Sequence, residues 1–297
     1  MIADPVLTLA WLLLGHLVAD FVLQTNRIAR DKFGAGPRAW RGLADHLVGV
    51  ALCLGPVPLA FGLRGLAFSV IVLVAHAAID RAKVVWTRHA EAVAIVRAHR
   101  EHEGAAPPDG LGSAWTPVPA GLFVADQLAH ALVIAWAWGV WLAGAPLTDA
   151  WRSTAGALAG GWDQAAVARI ALVGVVLVDL VILNVRAGAM FVATLVNPRE
   201  VVTGHEEHDA AAADGTVAAP RSPARIGATI GVLERLLIVA FVLTGAEAAI
   251  GFVVAAKTLA RFKQLDDRPF AEYYLLGTLA SVSVALATGL LARAALL

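Results

Sequence analysis

The stretch HLVADFVLQ, residues 16–24, sets His16 and Asp20 four residues apart inside an apolar run. The same spacing returns as HAAID, His76 and Asp80, and in reverse order as DQLAH, Asp126 and His130. A further histidine, His46, follows Asp45 in ADHLV. Residues four apart stack on one helix face, so each pair can aim two metal ligands, or a ligand and its orienting carboxylate, at one point. Paired histidines at this spacing hold zinc in a known helical motif. His16, Asp20, His46, His76, Asp80, Asp126 and His130 are therefore the candidate metal ligands, with Asp20, Asp80 and Asp126 also candidate catalytic bases. Lacking thiolates, the set suits a divalent Zn, Mn, Fe or Ni ion better than Cu(I). The set exceeds the four ligands of one zinc, so either some aspartates orient ligands from behind or two metals bind. Lys83, a further turn beyond Asp80, can meet an anionic substrate or reach toward the interface.

Membrane helices must carry these groups. The 297-residue chain is 59% hydrophobic and 15% charged, with a mean hydropathy of +0.72, which implies an all-α, polytopic integral membrane bundle. A formal net charge of +0 argues against a nucleic-acid partner, which needs a basic surface. The single Cys53 excludes an internal disulfide and a thiolate cage. An acidic residue near the start, in MIADPVLTLAWLLLG, favours a retained span over a cleaved signal peptide.

Eight spans are expected, over about 6–24, 42–62, 65–86, 120–143, 167–195, 227–244, 246–262 and 271–292, with Pro56 and Pro58 disturbing the second. Basic residues gather in alternate loops, beginning with Arg27, Arg30, Lys32, Arg38 and Arg41, which places both termini outside and the long loops in the cytoplasm. Each His then lies deeper than its Asp, within about 5 to 15 Å of the cytoplasmic ends of the spans. The segment TRHAEAVAIVRAHREHEG reads as a short surface helix. Residues 197–226, with His205 and His208 among acidic neighbours, read as a cytoplasmic linker between a five-span bundle (1–196) and a three-span bundle (227–297).

The second bundle has its own charges: Glu234, Arg235, Lys257, Arg261 and Glu272. Glu234 with Lys257 and Arg261 with Glu272 are expected ion pairs, and these four residues, with Lys83, are the candidate substrate-binding groups. Asp179, Asn184 and Arg186 are a weaker polar set in the fifth span.

HLVADFVLQ, HAAIDRAK and DQLAH in the first half, and IGVLERLLIVAF, AIGFVVAAKTLARFK and AEYYLLGTL in the second, resemble the bacterial multipass membrane proteins catalogued as domain of unknown function 3307. The resemblance covers nearly the whole chain and implies a multipass protein of the inner (plasma) membrane, with no activity attached. A looser similarity links the intramembrane His and Asp to bacterial inner-membrane proteins described as metal-dependent hydrolases.

Interhelical hydrogen bonds, worth about 0.6 kcal/mol each in membranes, explain one His–Asp pair but not four spans converging at one depth, where each ionised centre costs about 2.5 kcal/mol or more. The leading expectation is a metal-dependent hydrolase acting on a lipid or lipid-linked substrate at the cytoplasmic leaflet. A divalent-cation or proton-coupled transporter and a non-catalytic membrane scaffold are the alternatives. Phosphate-binding loops and dinucleotide fingerprints are absent.

Overall fold

The computed structural model describes residues 4–101, 115–196 and 223–297, and these are almost wholly helical. Helix α1 (Pro5–Val18) starts where Asp4 accepts the Leu7 N–H at 2.8 Å and Pro5 presets the first turn. It runs into a π-helical turn, Ala19–Leu23. A short α2 (Asn26–Lys32), capped by Thr25, leads to α3 (Gly36–Leu54) and α4 (Pro56–Glu101). Then come α5 (Val118–Ala137) with a π-helical turn at Trp138–Leu142, α6 (Asp149–Ala159), and α7 (Gln164–Ile182). A π-helical turn at Leu183–Ala187 joins α7 to α8 (Gly188–Val196). The remaining helices are α9 (Pro223–Thr244), α10 (Ala249–Ala260) and α11 (Arg268–Leu296).

Among the described residues six helices, against the eight expected, are long and apolar enough to cross a membrane: Pro5–Leu23, Pro56–Ala98, Val118–Leu142, Gln164–Val196, Ile226–Thr244 and Arg268–Leu296. The expected span 42–62 is divided, because α3 stops at Leu54 and Pro56 opens a new helix. Although α3 is 19 residues long, it carries Arg38, Arg41 and Asp45 in its first half and His46 just after them, which keeps it too polar. The seventh expected span shrinks to the 12 residues of α10, about 18 Å at 1.5 Å per residue, short of a hydrocarbon core of about 30 Å. The expected surface helix after Trp86 is instead a continuation of α4 up to Glu101, kinked near its start at Gly62 (φ 61). The expected linker falls largely outside the described residues, as do His205 and His208.

The chain divides into two compact units, one holding the residues up to Trp86 with Leu122–Ile182, the other Thr87–Gly121 with Leu183–Ala295. In the first, α1 packs against α3 and α7, and α2 against α3. The α2–α3 approach is close because Gly42 has no side chain: a Cβ there would strike the backbone nitrogen of Lys32 and come within 2.6 Å of the Asp31 carbonyl carbon. An apolar cluster of Leu12, Val57, Phe68, Val72, Ile134, Ala137 and Leu142 forms its core. In the second unit the π-helical turn leaves the Asn184 carbonyl to accept the buried Arg235 Nε–H at 2.7 Å, and Arg235 Nη1 donates to Ser281 Oγ at 3.1 Å.

Candidate metal centre

Three helices of the first unit cross the core in the same layered order. Leu12, Val72 and Ile134 lie in the apolar cluster. One turn along each helix come His16, His76 and His130, and one turn further Asp20, Asp80 and Asp126. All six polar residues are buried, as is His46, which α3 contributes at 1% exposure. The α1 partner of this order, Asp20, sits on the π-helical turn, and the Asp126–His130 pair is inverted because α5 runs the opposite way.

The tightest grouping is a triangle. Asp20 Oδ1 lies 3.3 Å from His46 Nε2 and 3.4 Å from His76 Nε2, and the two nitrogens are 2.9 Å apart. Four-coordinate zinc with bonds of about 2.0–2.1 Å separates neighbouring ligand atoms by about 3.3 Å, so the triangle has the dimensions of three ligands around one ion. Two further groupings are His16 with His76 and His130, and Asp20 with Asp126 and His130, the ligand atoms in each lying within 4.8 Å of one another.

Gln127 fixes which atoms stay free. Its Oε1 accepts from His16 Nε2 at 3.3 Å, while its Nε2 donates to Asp20 Oδ2 at 3.3 Å and Asp126 Oδ2 at 3.0 Å. The Nδ1–H of His130 donates to the Asp126 carbonyl oxygen at 2.9 Å. His16 Nδ1, Asp20 Oδ1, Asp126 Oδ1 and His130 Nε2 are left buried without a hydrogen-bond partner. In the neutral rings these nitrogens carry lone pairs, so acceptors converge without a donor to satisfy them. Buried polar atoms normally find partners, so these four acceptors leave the cluster able to receive a cation.

Two lysines partner the other carboxylates. Lys32 Nζ lies 2.6 Å from Asp80 Oδ2 and also donates to Gln24 Oε1 at 2.8 Å. Lys83 Nζ lies 2.7 Å from Asp126 Oδ2 and 5.0 Å from the Phe123 ring centroid. Asp20 has no lysine or arginine partner among the described residues. The cluster therefore keeps one uncompensated negative charge, at the corner of the triangle.

The seven candidate ligands all come together, but several other expectations change. Asp45, next to His46 in sequence, is exposed and pairs with Arg27 at 3.7 Å. Lys83 is engaged by a carboxylate rather than free for substrate. Glu234 and Lys257 do pair, at 2.6 Å, and belong with Arg261 and Glu272 to the second unit. The expected Arg261–Glu272 pair is replaced by Arg268–Glu272 at 3.0 Å, because those two lie four apart on one helix, while Arg261 stacks over Phe270 with 6.0 Å to the ring centroid. Of the weaker polar set, Asn184 is buried and donates to Thr288 Oγ1 at 3.1 Å, and Arg186 is exposed. Lys32, Gln24 and Gln127 are additions to the cluster. Both glutamines stand inside the quoted motifs, whereas Lys32 looked like one more basic loop residue.

Comparison with curated proteins and with solved structures gives no match. Residues 8–155 match the family described as protein of unknown function (DUF3307), and that segment contains every residue of the cluster. Through it, the chain belongs to the DUF3307 family.

Proposed function

We propose that the chain is a membrane-embedded hydrolase that works with one divalent ion held by Asp20, His46 and His76. The observation that carries this reading is the buried Asp20 Oδ1, without a hydrogen-bond partner and facing two imidazole nitrogens at ligand spacing. Three protein ligands and one open position are the arrangement of catalytic zinc sites. Charge favours a single ion: with Asp80 and Asp126 matched by lysines, one divalent cation and one hydroxide or substrate oxyanion bring the cluster to neutrality.

A bound metal lowers the pKa of its water toward neutrality. Asp126 Oδ1 and His130 Nε2, both free and both grouped with Asp20 within 4.8 Å, are placed to take the proton as water attacks. Gln127 orients His16, Asp20 and Asp126 from behind. The apolar layer of Leu12, Val72 and Ile134 bars water from one side, so substrate enters from the aspartate side, which the distribution of basic residues assigns to the cytoplasmic leaflet with both termini outside. A lipid or lipid-linked molecule with its scissile bond just below the headgroups fits that depth. Transport of a divalent cation or of protons would need a polar path through the apolar layer, which these residues do not supply.

The test is turnover of phospholipids and lipid-linked phosphates by purified protein. Release of product that stops with chelator, returns with added metal and is lost in metal-retaining Asp126→Asn supports the reading. Metal-loaded protein that cleaves none of these substrates contradicts it.

A further inference from the structure

Outside the metal cluster, α2 and α3 enclose a cleft of about 400 Å³ lined by Arg27, Asp31, Arg38, Arg41 and Asp45. Its volume falls in the range of small-molecule sites, about 300–1,000 Å³. Three guanidinium groups face two carboxylates there, leaving a net positive charge. Arg38 uses its Nε to hold Asp31 Oδ1 at 2.6 Å, which leaves both terminal nitrogens for another acceptor. The hydrogen bond from Arg38 also holds the Asp31 carboxyl below the usual carboxylate range, so the pair stays ionised. Arg41 is exposed and forms no ion pair among the described residues.

Helix α3 indicates the depth of this cleft. Beside it, Trp40 is 61% exposed, as expected for a residue of the aromatic belt. Further along the outward face of the same helix, Val48 is 59% and Leu52 70% exposed, about 10 and 16 Å beyond Arg41 at 1.5 Å per residue. The helix thus passes from two arginines flanking an interfacial tryptophan to bare aliphatic side chains, as an environment does from headgroup to acyl chain.

We propose that the Arg27–Arg38–Arg41 cleft binds the phosphate of an anionic phospholipid, with the acyl chains lying along Val48 and Leu52. Arginine forks match phosphate oxygens in pairs, and a lipid satisfies both the charged cleft and the apolar face below it. This site is independent of the metal.

The experiment is native mass spectrometry of the full chain in mild detergent, titrated with dioctanoyl phosphatidylglycerol, dioctanoyl phosphatidylcholine or inorganic phosphate. Wild type is expected to bind the anionic lipid at least tenfold more tightly than the zwitterionic one, and Arg38→Gln with Arg41→Gln to abolish that preference. Arg41→Gln alone removes no ion pair, so it leaves the fold intact and should weaken the anionic lipid severalfold. Absence of a preference in wild type, or a preference that survives the double substitution, overturns the proposal. Inorganic phosphate bound as tightly as the lipid overturns the lipid assignment and makes the cleft a soluble-phosphate site.

Discussion

His46 Nε2 and His76 Nε2 face each other at 2.9 Å inside a core where each residue is no more than 2% exposed. Two imidazole nitrogens at that distance share a single proton, or give both lone pairs to a metal. Added divalent metal should therefore raise the thermal stability of wild-type protein, by about 2.7 kcal/mol at a free concentration one hundred times Kd. His46→Ala and His76→Ala should each abolish the shift, whereas His89→Ala, an exposed site outside the cluster, should leave it unchanged. Thermal unfolding with and without metal measures this directly.

Gln127 touches three of the cluster's side chains and presents no atom to a metal itself. Gln127→Ala should keep the fold but weaken metal binding about 10- to 100-fold, because His16, Asp20 and Asp126 lose the partner that orients them. Competition with a chelating indicator measures the affinity. An unchanged value would leave Gln127 as packing only.

Lys32 and Asp80 are buried at 8% and 3% side-chain exposure, and removing one partner strands the other. Lys32→Met should cost about 3–5 kcal/mol, and Lys32→Met with Asp80→Asn should recover much of that. Lys83 is 22% exposed, so Lys83→Met should cost less. Equilibrium unfolding of all three variants in detergent makes the comparison.

Gly42→Ala places a methyl group against the backbone at Asp31 and Lys32. Forcing α2 off α3 should destabilise the protein by about 1–3 kcal/mol and withdraw Lys32 from Asp80. Unfolding transitions compared between Gly42→Ala and Gly49→Ala, whose new Cβ meets only Leu23 side-chain atoms at 3.6 Å and beyond, separate this effect from a general helix effect.

The convergence of His16, His76 and His130 was readable because ionisable residues four apart stand out in an apolar run, and reversing the helix reverses the motif. The place of Lys32 was not, since its burial depends on the backbone approach that Gly42 permits, a tertiary fact without a local pattern. Asp45 lies outside the cluster although it adjoins His46 in sequence, because successive helical residues point about 100° apart. Eight spans were expected because a window of about 20 residues carries hydropathy across the Pro56 break and lends apolarity to the short α10. Arg268–Glu272 is legible in the sequence as a same-helix pair four residues apart, and it takes Glu272 from Arg261.

Metal content tests the central claim most directly. Elemental mass spectrometry on protein purified without a histidine tag should find close to one divalent ion per chain in wild type. Monodisperse Asp20→Ala and His76→Ala proteins should carry almost none. Metal-free wild-type protein that stays metal-free after incubation with Zn, Mn, Fe and Ni near neutral pH would contradict the account.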